Sequence, residues 1–235
     1  MDPWILKGYC EQLKNETDYF QREVSNRLSG SETILDAGCG SGEFGVLKKC
    51  GKPHHATIVG MDISMDSMEQ NEILDQRIVG DLENIPLPDG SVDLVVCESV
   101  LEHLEKPQAV FSEFSRVLNS GGYLVLRTFN IWNWANAISA VLPVGVRSRL
   151  KGKLVEADSE GTFETYYRCN SRKKLRKLCG DVGLIEDNFI THGAWPGYWG
   201  HPGLVSLFAL YEKMTDNRLL GFTKVLIVGV YEKRV

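Results

Sequence analysis

The stretch LDAGCGSGEFG, residues 35–45, decides how this chain folds, and it can be read in two phases. From Gly40 it runs G-S-G-E-F-G, the spacing of dinucleotide-binding turns. From Asp36 it runs D-A-G-C-G-S-G, an acid followed by Gly38, Gly40 and Gly42 at alternate positions. Glycines after a buried strand let the backbone approach a ligand closely and aim N–H groups at it. In the dinucleotide turn the first glycine stands right at the strand end. Thr33-Ile34-Leu35-Asp36 reads as the strand, which leaves Gly40 several residues too late and puts Asp36 at the tip. The register favours the Asp36 phase.

Working outward, a helix should follow through Phe44, Val46 and Leu47 and stop at Gly51. ATIVGM (56–61) is a second buried strand ending at Asp62. Ser64 can cap a helix running to Leu74. Arg77-Ile78-Val79-Gly80 is a third strand, followed by Asp81. After a turn at Pro88-Asp89-Gly90 come a strand over Val92–Cys97 and a helix over 107–118. NSGG (119–122) should break that helix before a strand over Tyr123–Thr128. Further on, Ser171–Cys179 and 201–216 read as helices, and Leu184–Thr191 and Lys224–Tyr231 as strands. Strands alternating with helices at this spacing specify a parallel, doubly wound α/β sheet. One domain over residues 1–235 is expected, with an amphipathic leader helix at 9–28 inside residues 1–30.

Of the 235 residues, 43% are hydrophobic and 24% charged, which is ordinary for a globular protein and excludes a disordered chain. The formal net charge of −5 gives no basic surplus, so nucleic acid is not an expected partner. The run SRKKLRKLCG (171–180) is basic, but its charges flank Leu175 and Leu178 and read as a solvated helix face. Six cysteines are scattered without a C-x-x-C pair, which reads as reduced thiols in the cytoplasm. No secretory signal accompanies the sequon Asn15-Glu16-Thr17. No apolar run reaches the length of about 18 residues that a membrane span needs.

Two acids weigh on the glycine loop. Asp62, at the end of the second strand, could accept both hydroxyls of a ribose, a role that nicotinamide sites also use. Asp81, after the third strand, could accept from an adenine amino group, which the dinucleotide motif does not require. Both could instead cap helices. With ILDAGCGSGEFG, IVGMDIS, VGDLENIPLPDGSVDLVVCESVLEHL and RVLNSGGYLVLRT in this order, residues 34–128 resemble class I S-adenosylmethionine-dependent methyltransferases, in particular their type 11 small-molecule branch. The resemblance implies a Rossmann-like seven-stranded, mostly parallel sheet with helices on both faces and an antiparallel last strand. It implies S-adenosylmethionine as cofactor, with Gly38, Gly40 and Gly42 against its methionine part and Asp36 ordering the loop and helping with the amino group. Asp62 would hold the ribose, Ile63 would pack on the adenine, Asp81 and the Leu82 backbone would face its edge. Cys97 and Glu98 would lie beside the sulfonium.

His103 faces the same cleft in this reading and is the candidate general base, or else a residue that shapes the pocket floor. Glu98 could equally cap a helix. Arg127, Asn130 and Trp132, after the fifth strand, are the substrate candidates. No acidic cluster suggests a metal, and the strand-four end reads CESV rather than a D-P-P-Y type, against methylation of nucleic-acid bases. Residues 131–167 form an insertion or lid, in which Trp132, Trp134, Ile138, Val141, Leu142 and Val144 precede Arg147, Arg149, Lys151 and Lys153. Apolar residues beside basic ones fit either a lid helix or an interfacial helix, which raises peripheral membrane contact through 131–153. The expected function is methyl transfer to a small-molecule or lipid/glycan-linked acceptor. The alternatives are a catalytically silent binding scaffold and an NAD-linked oxidoreductase. The oligomeric state is not specified.

Overall fold

The computed structural model describes residues 19–43, 45–142, 164–193 and 202–234. The first part of the leader (9–18), the sequon, Cys10, Phe44, the stretch 143–163 with its basic and acidic segments, and His201 lie outside the described residues. Helix α1 (Tyr19–Leu28) precedes β1 (Thr33–Ala37), α2 (Val46–Cys50), β2 (Thr57–Asp62), α3 (Met65–Glu69), β3 (Gln76–Val79) and β4 (Val92–Glu98). A single 3-10 turn (Leu101–His103) leads to α4 (Pro107–Val117), β5 (Leu118–Phe129) and α5 (Trp134–Val141). Then follow α6 (Arg172–Asp181), β6 (Leu184–His192), α7 (Pro202–Met214), a 3-10 turn (Gly221–Thr223) and β7 (Leu226–Lys233).

The seven strands form one sheet in the order β3-β2-β1-β4-β5-β7-β6. β7 runs antiparallel to both of its neighbours, and the other pairs are parallel. The central strands are nearly continuous apolar runs because helices cover both faces. Ile34, Ile58, Leu94 and Val96 pack against Phe20 and Val24 of α1 and Val46 and Leu47 of α2. Their neighbours Leu35, Val59 and Val95 point the other way, onto Phe111 and Phe114 of α4 and Leu175 and Leu178 of α6. In α4 the apolar positions Val110, Phe111, Phe114 and Val117 recur at helical spacing on one buried stripe, and Pro107 opens the helix. The basic residues of α6 lie mostly exposed around its buried stripe, as its sequence suggests.

Two elements differ from their sequence reading. Ser64 does cap α3, accepting from Ser67 N, but the helix ends at Glu69 rather than Leu74. The residues beyond it have long-range tasks. Asn71 reaches the glycine loop, Leu74 packs over Gly60, and Arg77 takes the Met68 and Asn71 carbonyls. NSGG does not separate a helix from a strand; it is a bulge inside β5. Leu118 pairs with Val92 and Tyr123 with Leu94, and Gly121 adopts φ +81° between them. An added Cβ on Gly122 would stand 2.6 Å from Asn119 Oδ1, so the close approach there requires glycine.

Candidate cofactor and acceptor site

The carboxyl ends of the central strands and the turn after β3 surround one cleft of about 460 Å³. Ligands of open α/β sheets bind at this edge, where neighbouring crossovers leave in opposite directions. Gly38, Gly40, Asp62, Ile63, Asp81, Leu82 and His103 all line it, so the structure brings together half of the fourteen site residues singled out in the sequence. A larger polar depression of about 550 Å³ lies away from the glycine loop, around Arg27, Asp93 and Asn119. Its charges are internally satisfied, Arg27 by Glu23 and Asp187, Asp93 by Glu32 N, Thr33 N and Asn119.

Four residues from three segments fix the glycine loop. Gly38 N and Cys39 N donate to Met61 O on β2, at 2.8 and 3.3 Å. Gly40 N donates to Asp62 Oδ2 at 2.9 Å, while Asp62 Oδ1 accepts from Ser64 N at 3.0 Å. Asn71 Nδ2 holds the carbonyls of Cys39 and Gly40. Glu98 Oε2 accepts from Val46 N at 2.9 Å and so caps the start of α2. Gly38 and Gly42 have φ of +75° and +64°, and a Cβ would stand 2.2 Å from Val100 Cγ2 and 2.4 Å from Asn71 Oδ1 respectively. A Cβ on Gly40 would meet nothing within 4 Å, so the loop is tight on two sides and open at its middle.

The carboxyl of Asp36 sits under this loop at the tip of β1. Burial, then the charges of Glu98 and Asp62, push its pKa up to about 7. Among the described residues no donor reaches it. A cationic group placed there would reverse the shift, which is what a site for an ammonium looks like. Ile63 is 60% exposed and Leu82 is buried, so the cleft has an apolar lip beside Asp62. Asp81 is exposed, and its Oδ1 accepts from Glu83 N at 2.9 Å.

Residues 35–126 match the methyltransferase-domain family. Over these 92 of the 235 residues the chain is similar to a methyltransferase domain. The domain is similar to a malonyl-[acyl-carrier protein] O-methyltransferase of Yersinia pestis, at 34% identity over 49% of this chain and 43% of the relative. This chain thus spans less than half the length of that relative. Among solved structures it shares its fold with a SAM-dependent methyltransferase of Methanosarcina mazei, with TM-score 0.60, 19% identity, and 90% of this chain and 97% of the other covered. Geranyl diphosphate C-methyltransferase from Streptomyces coelicolor, crystallised with Mg2+, geranyl diphosphate and S-adenosyl-L-homocysteine, has TM-score 0.59 and 18% identity over 91% of this chain and 76% of its own.

On the β4–β5 side of the cleft the sequence candidates have other partners. Cys97 is fully buried in the core with Leu101 and Cys169, and offers no side chain to the cleft. Glu98 stands opposite Arg127 in the parallel register, and its second carboxylate oxygen takes the Arg127 guanidinium. Arg127 in turn lies over the Phe20 ring at 5.1 Å, so its charge is used internally rather than presented to a substrate. Asn130 is 1% exposed, and its Nδ2 holds Phe222 O and Lys224 O at 2.7 and 2.8 Å. It is a clamp on the lead-in to β7. Trp132 is exposed and is not among the residues lining the cleft.

His103 Nδ1 lies 2.7 Å from the Glu164 carbonyl oxygen. A carbonyl only accepts, so Nδ1 carries the proton and Nε2 is the basic nitrogen. Glu164 and Tyr166 also line the cleft, which the sequence reading missed. They are held there by Glu102, whose carbonyl accepts from Tyr166 N and Tyr167 N at 2.7 and 3.2 Å. The Glu102 side chain is 2% exposed, and burial raises its pKa. It accepts from Thr128 Oγ1, which accepts from Asn170 Nδ2. A glutamate inside ESVLEHL was the available signal, since an acid at a buried position needs a partner. Ser99, with φ +57°, is a second: a non-glycine residue in the left-handed region at the end of β4, lining the cleft. Among the described residues no group of acids, histidines or cysteines could hold a metal ion, and no helix is long and apolar enough to cross a membrane.

Proposed function

We propose that this chain is an S-adenosylmethionine-dependent methyltransferase acting on a small-molecule or lipid/glycan-linked acceptor by direct in-line methyl transfer. The observation that carries this reading is the convergence of the open Gly40 edge, Asp62 and Asp81 along one cleft, with the Asp36 carboxyl at the neighbouring tip of β1. The residues fit the cofactor: an acid that no donor reaches among the described residues for its ammonium, a loop edge open at Gly40, and an acid at the end of β2 for a ribose. Bound there, the cofactor supplies a methyl group already made electrophilic by its sulfonium. The chain's residues therefore need mainly to position and desolvate. Asp62 orders the loop and accepts hydroxyl donors, Glu98 and Asn71 hold the loop still, and the Glu102 network holds Tyr166 against the cleft. A lipid-linked acceptor would be met at a membrane surface through residues 131–153.

Calorimetry tests the reading and its electrostatics together. Only ionised Asp36 attracts an ammonium, and its carboxyl is protonated below about pH 7 in the free protein. The dissociation constant for S-adenosylmethionine should therefore fall by up to about tenfold per pH unit as pH rises toward 7, and level off above it. Asp36→Asn should abolish that slope. NADH should give no heat. Binding of NADH in place of S-adenosylmethionine would return the chain to the dinucleotide phase.

For a hydroxyl acceptor the base is His103, acting through Nε2. Once an acceptor is in hand, His103→Ala should lower kcat by about a hundredfold and leave cofactor affinity unchanged. An unaltered kcat would restrict His103 to holding the 164–167 segment.

A further inference from the structure

One wall of the cleft is made by the 101–105 turn and the 164–170 segment laid against it. Tyr166 N and Tyr167 N donate to Glu102 O, His103 Nδ1 to Glu164 O and Arg168 Nη1 to Glu105 O, and Cys169 Sγ reaches Leu101 O at 3.5 Å. Asn170 anchors the far end, where Nδ2 donates to Thr128 Oγ1 at 2.6 Å and the carbonyl accepts from Ile131 N at 2.9 Å. The wall borders the glycine loop directly. A Cβ on Gly38 would stand 2.2 Å from Val100 Cγ2, and Val100 O accepts from His103 N at 2.9 Å. The cleft therefore runs without a break from Gly38 and Gly40 to His103, Glu164 and Tyr166.

Among the described residues that line this cleft there are five carboxylates and no lysine or arginine. Four of the acids have other work. In the methyl-transfer reading Asp62 and Asp81 serve the cofactor, while Glu83 is held by Lys106 at 2.9 Å and Glu105 lies 3.9 Å from Arg168. Glu164 differs from these. It is exposed, and among the described residues its carboxylate has one partner, the Tyr166 hydroxyl, which donates to Oε2 at 3.1 Å. A carboxylate has about four acceptor sites, so one phenol aims it and leaves its charge and most of its capacity unused. The phenol is in turn fixed through its own backbone on Glu102.

We propose that the methyl acceptor is an amine, bound as its ammonium by Glu164 beside His103, with its apolar body against Val100 and Leu104. This rests on the methyl-transfer reading and names its substrate class. The ammonium gives one proton to His103. The nitrogen lone pair then forms the N–C bond while the S–C bond breaks and its electron pair returns to sulfur, leaving a methylated ammonium and a neutral thioether. A carboxylate or phosphate acceptor would meet the Glu164 charge as repulsion. An alcohol offers one hydrogen where an ammonium offers three and a full charge.

The test measures S-adenosylhomocysteine release by the whole chain with matched primary amines, alcohols and carboxylates on phenethyl, hexyl and cyclohexylmethyl skeletons. Amines should show kcat/KM at least about tenfold above their matched alcohols and carboxylates. Glu164→Gln keeps an oxygen for the Tyr166 hydroxyl and loses the charge. It should raise the amine KM about tenfold with kcat little changed, and leave thermal melting and S-adenosylmethionine calorimetry as in wild type. High salt should raise the amine KM of wild type more than that of the variant. Preference for alcohols or carboxylates, no turnover of any amine, or an unaltered amine KM in Glu164→Gln overturns the proposal. In those cases S-adenosylmethionine still binds; if it does not bind, the methyl-transfer reading falls too, which tells the two failures apart.

Discussion

Replacing Asp62 with alanine is expected to weaken S-adenosylmethionine binding by about two orders of magnitude or more. The carboxylate has two jobs at once. In the ligand-free protein its oxygens accept from Gly40 N and Ser64 N, so they hold the crest of the glycine loop and the start of α3 in place. Each oxygen keeps a further lone pair for a ribose hydroxyl on the cleft side. Alanine removes the ligand's acceptors and leaves the Gly40 amide to find water or collapse. Charge-assisted hydrogen bonds contribute about 1.5–3 kcal/mol each, and two of them account for the expected loss. Asp62→Asn retains one acceptor and should fall between wild type and alanine. Calorimetry on the three proteins orders the effects, and equal affinities would show that the cofactor does not use this acid.

Gly38→Ala should be nearly as damaging, and for a different reason. The residue sits at φ +75°, where a side chain costs about 1–2 kcal/mol. The new methyl would stand 2.2 Å from Val100 Cγ2, so either Val100 or the strand tip has to move. Together these predict a stability loss of about 3 kcal/mol in urea and no measurable cofactor binding. The clash and the backbone strain can be separated. Val100→Ala in the same chain should relieve the contact and recover part of the stability, while the strain at φ +75° persists. A double variant no more stable than Gly38→Ala would refute the steric account.

The parts of this site legible in the sequence are those written locally. A buried strand, an acid at its tip and glycines at alternate positions place Asp36, Gly38 and Gly40 without knowledge of any other segment. Asp62 and Asp81 follow because each lies just beyond its strand. What the sequence did not disclose depends on sheet order and on contacts between distant segments. Arg127 reads as a substrate candidate or a surface ion pair until Glu98 is seen opposite it in the β4–β5 register. Asn130 reads as a substrate contact until the lead-in to β7 arrives beneath it. Leu74 reads as the end of a helix, yet its side chain is needed over Gly60 and Asn71 is needed at the glycine loop. Glu164 and Tyr166 reach the cleft through the carbonyl of Glu102, and no local pattern marks a backbone acceptor.

The asparagine clamp has a consequence for how such a chain can diverge. Asn130 grips Phe222 O and Lys224 O across 92 and 94 residues of sequence, and Asn133 reaches Thr223 O across 90. All three bonds end on main-chain oxygens, so they constrain the length and path of that turn rather than its side chains, of which Lys224 is held separately by Glu212. An insertion near residue 220 would be tolerated only with a matching change around residue 130. Helix α5 and the turn before β7 therefore form one mechanical unit, in which a change of length on either side needs a matching change on the other.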